Sequence, residues 1–344
     1  MKILVTGGAG MVGSHCAEYY AKKGAKVVAL DNLMRSELFK SKKKSVEYNW
    51  RFLQKMKNVT CLKGDVRNEK DVMEAIGKGV DAVIHTAGQP GVPSSVRMPK
   101  EDFSINAFGT LNVLECLRSK SKNAAFVYCS TNKVYGENID KIPLKELKTR
   151  YAFKGMNGVD EKMLTDLTGH TPYGVSKLVG DLYTQEYAHI YGMKTAVFRM
   201  SCIYGDRQFG FEDQGWVAWF IIACLTGRKI TVFGDGKQVR DLLYAGDLVK
   251  SYDRFIQGKI KHTIVNVGGG KDNTISLLEF LDKLKGLTGK KPKVQFSNWR
   301  PSDQKVYVSD IGKAKKILSW EPQVSVEQGL LKLTEWIKDN RVLF

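Results

Sequence analysis

Paired cysteines are missing from this sequence. Its six cysteines (Cys16, Cys61, Cys116, Cys129, Cys202 and Cys224) are scattered, with no C-x-x-C pair. No zinc site or disulfide framework is expected from that spacing, and buried reduced thiols are. Long apolar runs are absent too. The longest, Trp216 to Leu225, is about half of the ~20 residues that a bilayer-spanning helix needs. No internal repeat or low-complexity tract interrupts the chain. The start, Met1-Lys2, runs straight into Ile3-Leu4-Val5 and a glycine-rich turn. That reads as a buried strand and not as a signal peptide, so a soluble cytoplasmic protein without membrane association is expected. Acidic residues are also few, 36 against 54 lysines and arginines, for a formal net charge of +18. Candidate basic patches occur at Lys40-Ser41-Lys42-Lys43-Lys44 and Lys290-Lys291-Pro292-Lys293. The remaining lysines are spread along the chain with no recognition motif or aromatic platform, so specific nucleic-acid binding is not expected. A surface that attracts anionic small molecules, or simply a thermophile-style surface, fits as well.

Glycine is present where it matters. Strand Lys2–Thr6 leads into Gly7-Gly8-Ala9-Gly10-Met11-Val12-Gly13, then a helix to about Lys23, then strand Lys26–Leu30 ending at Asp31. Glycines at 7, 10 and 13 permit a tight turn, close approach of a pyrophosphate and close helix–strand packing. The phosphates would sit at a helix N-terminus, whose free N–H groups suit an anion. Asp31, about twenty residues on, is where an acid takes the adenosine ribose hydroxyls and repels a 2′-phosphate. NAD is therefore expected over NADP, although Arg35 nearby pulls the other way.

Alternation continues beyond a basic insertion at 33–57 that carries an amphipathic helix, Val46–Met56. Strands Val59–Leu62, Val80–His85 and Ala124–Cys129 each end in small or polar residues and precede helical stretches, over Glu69–Ile76 and from about Val92 to Leu117. Such βα units imply a doubly wound parallel sheet of the Rossmann type with helices on both faces. Its ligands bind beyond the carboxyl ends of the strands, where Gly7, Asp31, Asp65, Ala87 and Thr131 all fall. Helix Pro172–Tyr191 and strand Lys194–Arg199 belong to the same series. The rhythm loosens after Arg199. A loop over 201–215, helix Trp216–Thr226 and shorter elements through a last helix, Val326 to Lys338, suit a smaller α/β substrate lobe. The expected division is 1–200 for the dinucleotide domain, with about 235–265 returning to it, and 201–344 mainly for the lobe.

Within Thr171-Pro172-Tyr173-Gly174-Val175-Ser176-Lys177, Pro172 suits the first helical position. Tyr173 and Lys177 then share one helical face. A free phenol ionises near pH 10, and an ammonium beside it is expected to lower that value. The pair could take a proton from an alcohol while a dinucleotide takes the hydride, with Thr131 on the same oxygen.

These residues resemble the extended short-chain dehydrogenase/reductase family, which acts on nucleotide-sugars. The resemblance runs through Thr6–Gly13, Gly64-Asp65-Val66, His85-Thr86-Ala87-Gly88, Asn106 to Thr110, Val134-Tyr135-Gly136, Tyr173/Lys177, Arg199 to Gly205, Arg240-Asp241 with Tyr244 and Asp247, and Arg300-Pro301-Ser302-Asp303. It implies Thr131, Tyr173 and Lys177 as catalytic residues. It implies contacts to the cofactor from Gly7, Gly10, Met11, Val12, Gly13, Asp31, Asn32, Asp65, Val66, Ala87, Gly88 and Asn106, besides Tyr173 and Lys177. Substrate contacts are implied for Gln89, Thr131, Asn132, Lys133, Ser201, Arg207, Gln214 and Asp303, with Arg240 and Arg300 on the diphosphate. No metal is implied.

Within the family, Ser130 to Gly136, Arg207-Gln208-Phe209, Asp213 to Phe220 and Gly234 to Asp241 are most like the CDP-tyvelose (CDP-paratose) 2-epimerases. That branch implies transient oxidation at C2, rotation of the keto sugar and re-reduction. A CDP-sugar is favoured, GDP- and UDP-sugars stay open, and a homodimer or homotetramer is implied. Dehydratase chemistry needs a carboxylate pair beside the threonine, and the slots hold Asn132 and Lys133. A UDP-sugar 4-epimerase is the alternative within the family. A dinucleotide-sensing or RNA-binding protein on the same scaffold is the non-enzymatic alternative.

Overall fold

The computed structural model describes residues 1–38, 44–300 and 302–344. Lys40 to Lys43 of the first basic patch, and Pro301, lie outside the described residues. The chain divides into two compact units. One comprises Met1–Val134, Thr171–Arg199 and Val249–Val265, and the other Tyr135–His170, Met200–Leu248 and Asn266–Phe344.

In chain order the first unit begins with β1 (Lys2–Thr6), α1 (Met11–Lys22), β2 (Lys26–Asp31), α2 (Arg35–Leu38), α3 (Lys44–Gln54), β3 (Val59–Lys63) and α4 (Glu69–Ile76). It continues with β4 (Ala82–His85), α5 (Val92–Arg97), α6 (Pro99–Phe103), α7 (Gly109–Lys120) and β5 (Ala125–Thr131). An excursion carries β6 (Leu144–Glu146) and β7 (Tyr151–Phe153) before α8 (Pro172–Tyr191) and β8 (Lys194–Met200). A second excursion holds β9 (Cys202–Tyr204), α9 (Trp216–Thr226), β10 (Lys229–Phe233) and β11 (Val239–Tyr244), then α10 (Ala245–Gln257) and β12 (His262–Val267) follow. The rest of the chain supplies β13 (Thr274–Ser276), α11 (Leu277–Thr288), β14 (Lys293–Ser297), β15 (Val306–Tyr307), α12 (Gly312–Leu318) and α13 (Val326–Asp339).

Seven strands form the first unit's sheet in the order β12-β8-β5-β4-β1-β2-β3. The run from β3 to β5 is parallel throughout. Strand order reverses beside β1, the switch point at which such sheets bind ligands. Both faces are covered, so the strands read as unbroken apolar runs: every residue of β4 and β5 is buried. Leu4, Val83, Phe126 and Val197 join Leu114, Leu117 and Tyr187 in one apolar cluster.

The long helical stretch expected from Val92 to Leu117 is broken. Met98 leaves helical geometry at φ −134° and ψ 64°, because Pro99 disfavours the α region in the residue before it. Residues Ser104–Phe108 form a π-turn between α6 and α7. Such turns are rare and concentrate at functional sites.

The second unit is built on α9, which is apolar all round and buried along most of its length. Phe220 of α9 stacks on Phe280 of α11 at 5.9 Å, among buried residues that include Ile230, Val232, Leu330 and Leu333. Strand β11 pairs with β13, β15 and β9, and β10 pairs with β14. Where a boundary at residue 200 assigns 135–170 to the sheet, the contacts group this segment with the second unit. The Tyr135 hydroxyl donates to Asn266 Oδ1 at 2.7 Å, and Arg150 forks onto Glu279. These partners are more than a hundred residues downstream, out of reach of a local reading. Lys290 of the second basic patch turns its ammonium onto the Leu225 carbonyl, 2.6 Å away, at the end of α9. Among the described residues, no helix is long and apolar enough to cross a membrane.

Candidate active site

The turn after β1 leaves no room for side chains. A Cβ on Gly7, whose φ is +69°, would lie 2.6 Å from the Ala87 nitrogen, and one on Gly13 would lie 2.1 Å from the Gly7 carbonyl oxygen. Helix α1 starts at Gly10 with no side-chain cap, so its first N–H groups face outward at the positive end of the helix dipole. Met11 and Val12 form that first turn. Asp31 closes the cradle: its carboxylate accepts from the Ala9 N–H at 2.9 Å and the Leu33 N–H at 2.8 Å. Burial raises its pKa, while those amides and the Arg35 charge lower it. The same burial pushes the Arg35 guanidinium down to about 10.

Asp65 follows β3 at the same edge. Its carboxylate accepts from Arg67 Nε at 3.0 Å, from an Arg67 terminal nitrogen at 2.7 Å and from Asn32 Nδ2 at 2.9 Å. Burial opposes ionisation there, but these donors hold the carboxyl below its ordinary value. Arg67 also reaches Glu101 at 2.7 Å. Val66 is buried against Gly109, where a Cβ would approach it to 2.8 Å. A backbone cradle for phosphates, an acid at the end of β2 and an acid after β3 fit an adenine dinucleotide.

At the end of β4, Ala87 donates its N–H to Thr6 Oγ1 at 3.3 Å. A Cβ on Gly88 would lie 3.0 Å from Asn106 Oδ1. Asn106, on the π-turn, is fully buried. Its Nδ2 lies 3.1 Å from each of the Gln89 carbonyl, Asp102 Oδ1 and Ser176 Oγ. Gln89, expected at the substrate, is 1 % exposed, and its side chain bonds Gly91 and Asp102. Helix formation at 104–108 brings the Asn106 amide up beneath the Gln89 loop and encloses it.

Helix α8 begins as its sequence dictates. Thr171 caps it by accepting the Gly174 N–H at 3.2 Å, and Pro172 occupies the first turn. Tyr173 stands near enough to Thr131, at the end of β5, for that hydroxyl to bear on its ionisation, and the Thr131 hydroxyl lies 3.3 Å from Asn132 Oδ1. The structure changes the electrostatic expectation. Burial pushes the Tyr173 phenol up to about 12, and the nearby Thr131 hydroxyl only partly opposes it. Lys177 sits with its ammonium 4.3 Å from the centre of the Tyr128 ring, a cation–π contact. Burial pulls its pKa down to about 8, against the Cys129 sulfur and the charges of Asp102 and Asp181. It therefore stays mostly protonated at neutral pH without offsetting the burial of the phenol. His85 beside it is structural: it bonds Thr6 and Thr110 in the core, and burial drives its pKa down to about 3.

The expected substrate residues beyond Lys133 lie in the second unit. Arg240 pairs with Asp303 at 2.7 Å. Arg300 pairs with Asp213 at 3.1 Å and lies 3.7 Å from the centre of the Phe233 ring. Ser201 donates to the Asp241 carboxylate. Arg207 is held at φ +60°, a costly backbone setting for a residue of its size. Gln214 exchanges backbone hydrogen bonds with Phe211 at 3.0 Å. Sequence reasoning passed over Asp102, Arg67 and Ser176. Only Ser176, inside the tyrosine–lysine motif, carried a local signal.

The parallel sheet, the glycine cradle and the tyrosine–lysine helix define a dinucleotide-dependent enzyme of the epimerase and dehydratase type. The chain belongs to the NAD dependent epimerase/dehydratase family, whose model matches residues 3–268. It is an NAD-dependent enzyme of the nucleotide-sugar epimerase class. It is 39 % identical to the CDP-paratose 2-epimerase of Salmonella typhi, over 98 % of this chain and 99 % of that protein. It is 33 % identical to a putative UDP-glucose 4-epimerase of Methanocaldococcus jannaschii, again over 98 % of this chain and 99 % of the relative. The structure superposes on the UDP-glucose 4-epimerase of Thermus thermophilus, solved in complex with NAD, at a TM-score of 0.82. That match has 29 % identity and covers 98 % of this chain and 99 % of the other.

Proposed function

We propose that this enzyme inverts C2 of a CDP-linked sugar of the paratose/tyvelose type. The observation that carries the chemistry is the hydroxyl pair Thr131–Tyr173 at the end of β5 and start of α8, with the Lys177 ammonium one helical turn on. The choice of C2 and of CDP rests on the 39 % identity with the Salmonella typhi enzyme along the full chain.

Bound NAD supplies reversible two-electron oxidation of the sugar carbon. Tyr173 takes the proton from the C2 hydroxyl and returns it when the carbon is reduced again on its other face. Thr131 holds the same oxygen and keeps the phenol oriented. Lys177, mostly protonated at neutral pH, counters the negative charge of the phenolate as it forms. Ala9 to Gly13 and Asp31 hold the cofactor's phosphates and ribose, and Asp65 the adenine side. Taken by themselves, Arg240 and Arg300 are the residues to which the family resemblance gives a diphosphate, a group that suits guanidinium forks. Their pairing with Asp303 and Asp213 holds the forks in place beforehand, at the cost of rearranging those carboxylates.

The test is product analysis by NMR, in deuterated water, with CDP-, GDP- and UDP-sugars offered separately. Inversion at C2 with no deuterium at that carbon is expected, because the hydrogen leaves and returns without meeting solvent. Inversion at C4 of a UDP-sugar would overturn the choice of substrate. Tyr173→Phe should lose about 10²–10⁴-fold in kcat, and near-normal turnover would remove Tyr173 from its role.

A further inference from the structure

One buried carboxylate beside the tyrosine–lysine helix has no part in the chemistry above. Asp102, in α6, is 1 % exposed. Its Oδ1 accepts from Gln89 Nε2 at 2.9 Å and from Asn106 Nδ2 at 3.1 Å, and its Oδ2 accepts from Ser176 Oγ at 2.5 Å. Every donor among these is neutral. Buried carboxylates ordinarily acquire a cationic partner in direct contact. Its neighbour Glu101 has one, the 2.7 Å contact with Arg67, and Asp102 does not draw on it.

We propose that Asp102 is a positioning residue for the reaction: through Ser176 it fixes the first turn of α8, and its negative charge holds Lys177 in the ammonium form. This rests on the assignment of Tyr173 and Lys177 above. The geometric half follows from hydrogen bonding. Ser176 Oγ also lies 3.1 Å from the Tyr173 carbonyl, so the hydroxyl that binds Asp102 is anchored one residue from Lys177 and three from Tyr173. The same carboxylate fixes the Asn106 amide, whose oxygen accepts the Gln89 N–H at 2.8 Å and sets the loop after β4.

The electrostatic half follows from what surrounds Lys177. The β5 side offers Cys129 and the face of Tyr128, and β4 offers neutral His85. Along α8, Tyr173 lies one turn before Lys177 and Asp181 one turn after. Asp181 is committed to Arg199, with contacts of 2.9 and 3.2 Å. From α6 comes Asp102, whose charge raises both the Lys177 and the Tyr173 pKa. Among the described residues, Asp102 is thus the anion near Lys177 that no guanidinium contacts. In return the ammonium favours the carboxylate, although burial leaves the Asp102 pKa above its ordinary value.

Asp102→Asn isolates the charge. The carboxamide oxygen can still accept from Gln89 and Asn106, and Ser176 can swing its proton to the Tyr173 carbonyl and accept from the new amide. Ser176→Ala is the converse, since it removes the anchor and keeps the charge. The readout is the Lys177 pKa from ¹³Cε-lysine NMR of the full chain, without substrate, with the resonance assigned through Lys177→Arg. Asp102→Asn should lower that pKa by about one unit, in line with losing an opposite charge at this range, and Ser176→Ala should leave it in place. The alkaline limb of kcat/KM should move down with the titration in Asp102→Asn alone. Equal shifts in both variants, or none in Asp102→Asn, would overturn the proposal, and so would an Asp102→Asn protein that unfolds while Ser176→Ala lowers the Lys177 pKa. If Tyr173→Phe keeps its activity, the catalytic assignment fails instead, whatever Lys177 does.

Discussion

Two buried carboxylates flank one helix in this protein, and their partners differ. Asp181 is fully buried and contacts the Arg199 guanidinium through both oxygens, with Ser130 Oγ at 2.8 Å and Gln185 Nε2 at 2.7 Å completing its shell. Asp102, as deeply buried, has among the described residues the neutral donors of Gln89, Asn106 and Ser176. A neutralised acid of the first kind ties α8 to β8 and projects little field beyond its pair. An acid satisfied by neutral dipoles keeps its full charge in a low-dielectric setting, where charge acts over longer distance. Stability therefore accounts for Asp181, and action on a neighbouring ammonium accounts for Asp102.

The largest expected effect tests the first half of that contrast. Asp181→Asn removes the carboxylate that the buried Arg199 guanidinium contacts through two nitrogens and should cost about 3–5 kcal/mol in urea unfolding. Asp102→Asn, which strands no cation in direct contact, should cost less than half of that. Equal losses would erase the distinction.

A smaller effect concerns pH. Lys177 titrates near about 8 because burial penalises its charged form. Protonation is nearly complete well below that value, so the Lys177 contribution, read as the ratio of kcat/KM to that of Lys177→Met, should be flat toward neutral pH and fall about tenfold per unit well above it. A plateau extending to pH 10 would separate Lys177 from the reaction. Smallest is Gln185→Ala, which removes a half-buried neutral donor from Asp181. It should cost about 0.5–1.5 kcal/mol and leave the alkaline limb unmoved, since Asp181 keeps Arg199.

Much of the cofactor edge was readable from the chain because its signals are local. Gly7, Gly10 and Gly13 act within one turn, Asp31 ends the next strand, and Thr171-Pro172 announces α8 by itself. The break at Met98 was readable in principle from Pro99, yet the helical periodicity on either side concealed it. The partners of Gln89 were not readable, because its loop position says nothing about the Asp102 carboxylate that takes its side-chain amide or the Asn106 side chain that takes its backbone. The Tyr173 pKa was expected to fall, since an ammonium four residues away is visible in sequence and the burial of both groups is not.

By itself the sequence determined the order of βα units, the glycine cradle, the acid at Asp31 and the tyrosine–lysine spacing, because each depends on residues within about one helical turn or one strand end. Only the tertiary structure decided which charges remain uncancelled. Asp102 and Asp181 are both helix-borne acids on paper. They differ because β8 carries Arg199 to one of them, while the π-turn carries only the Asn106 amide to the other. Burial then magnifies that difference, and burial is a property of the packed chain.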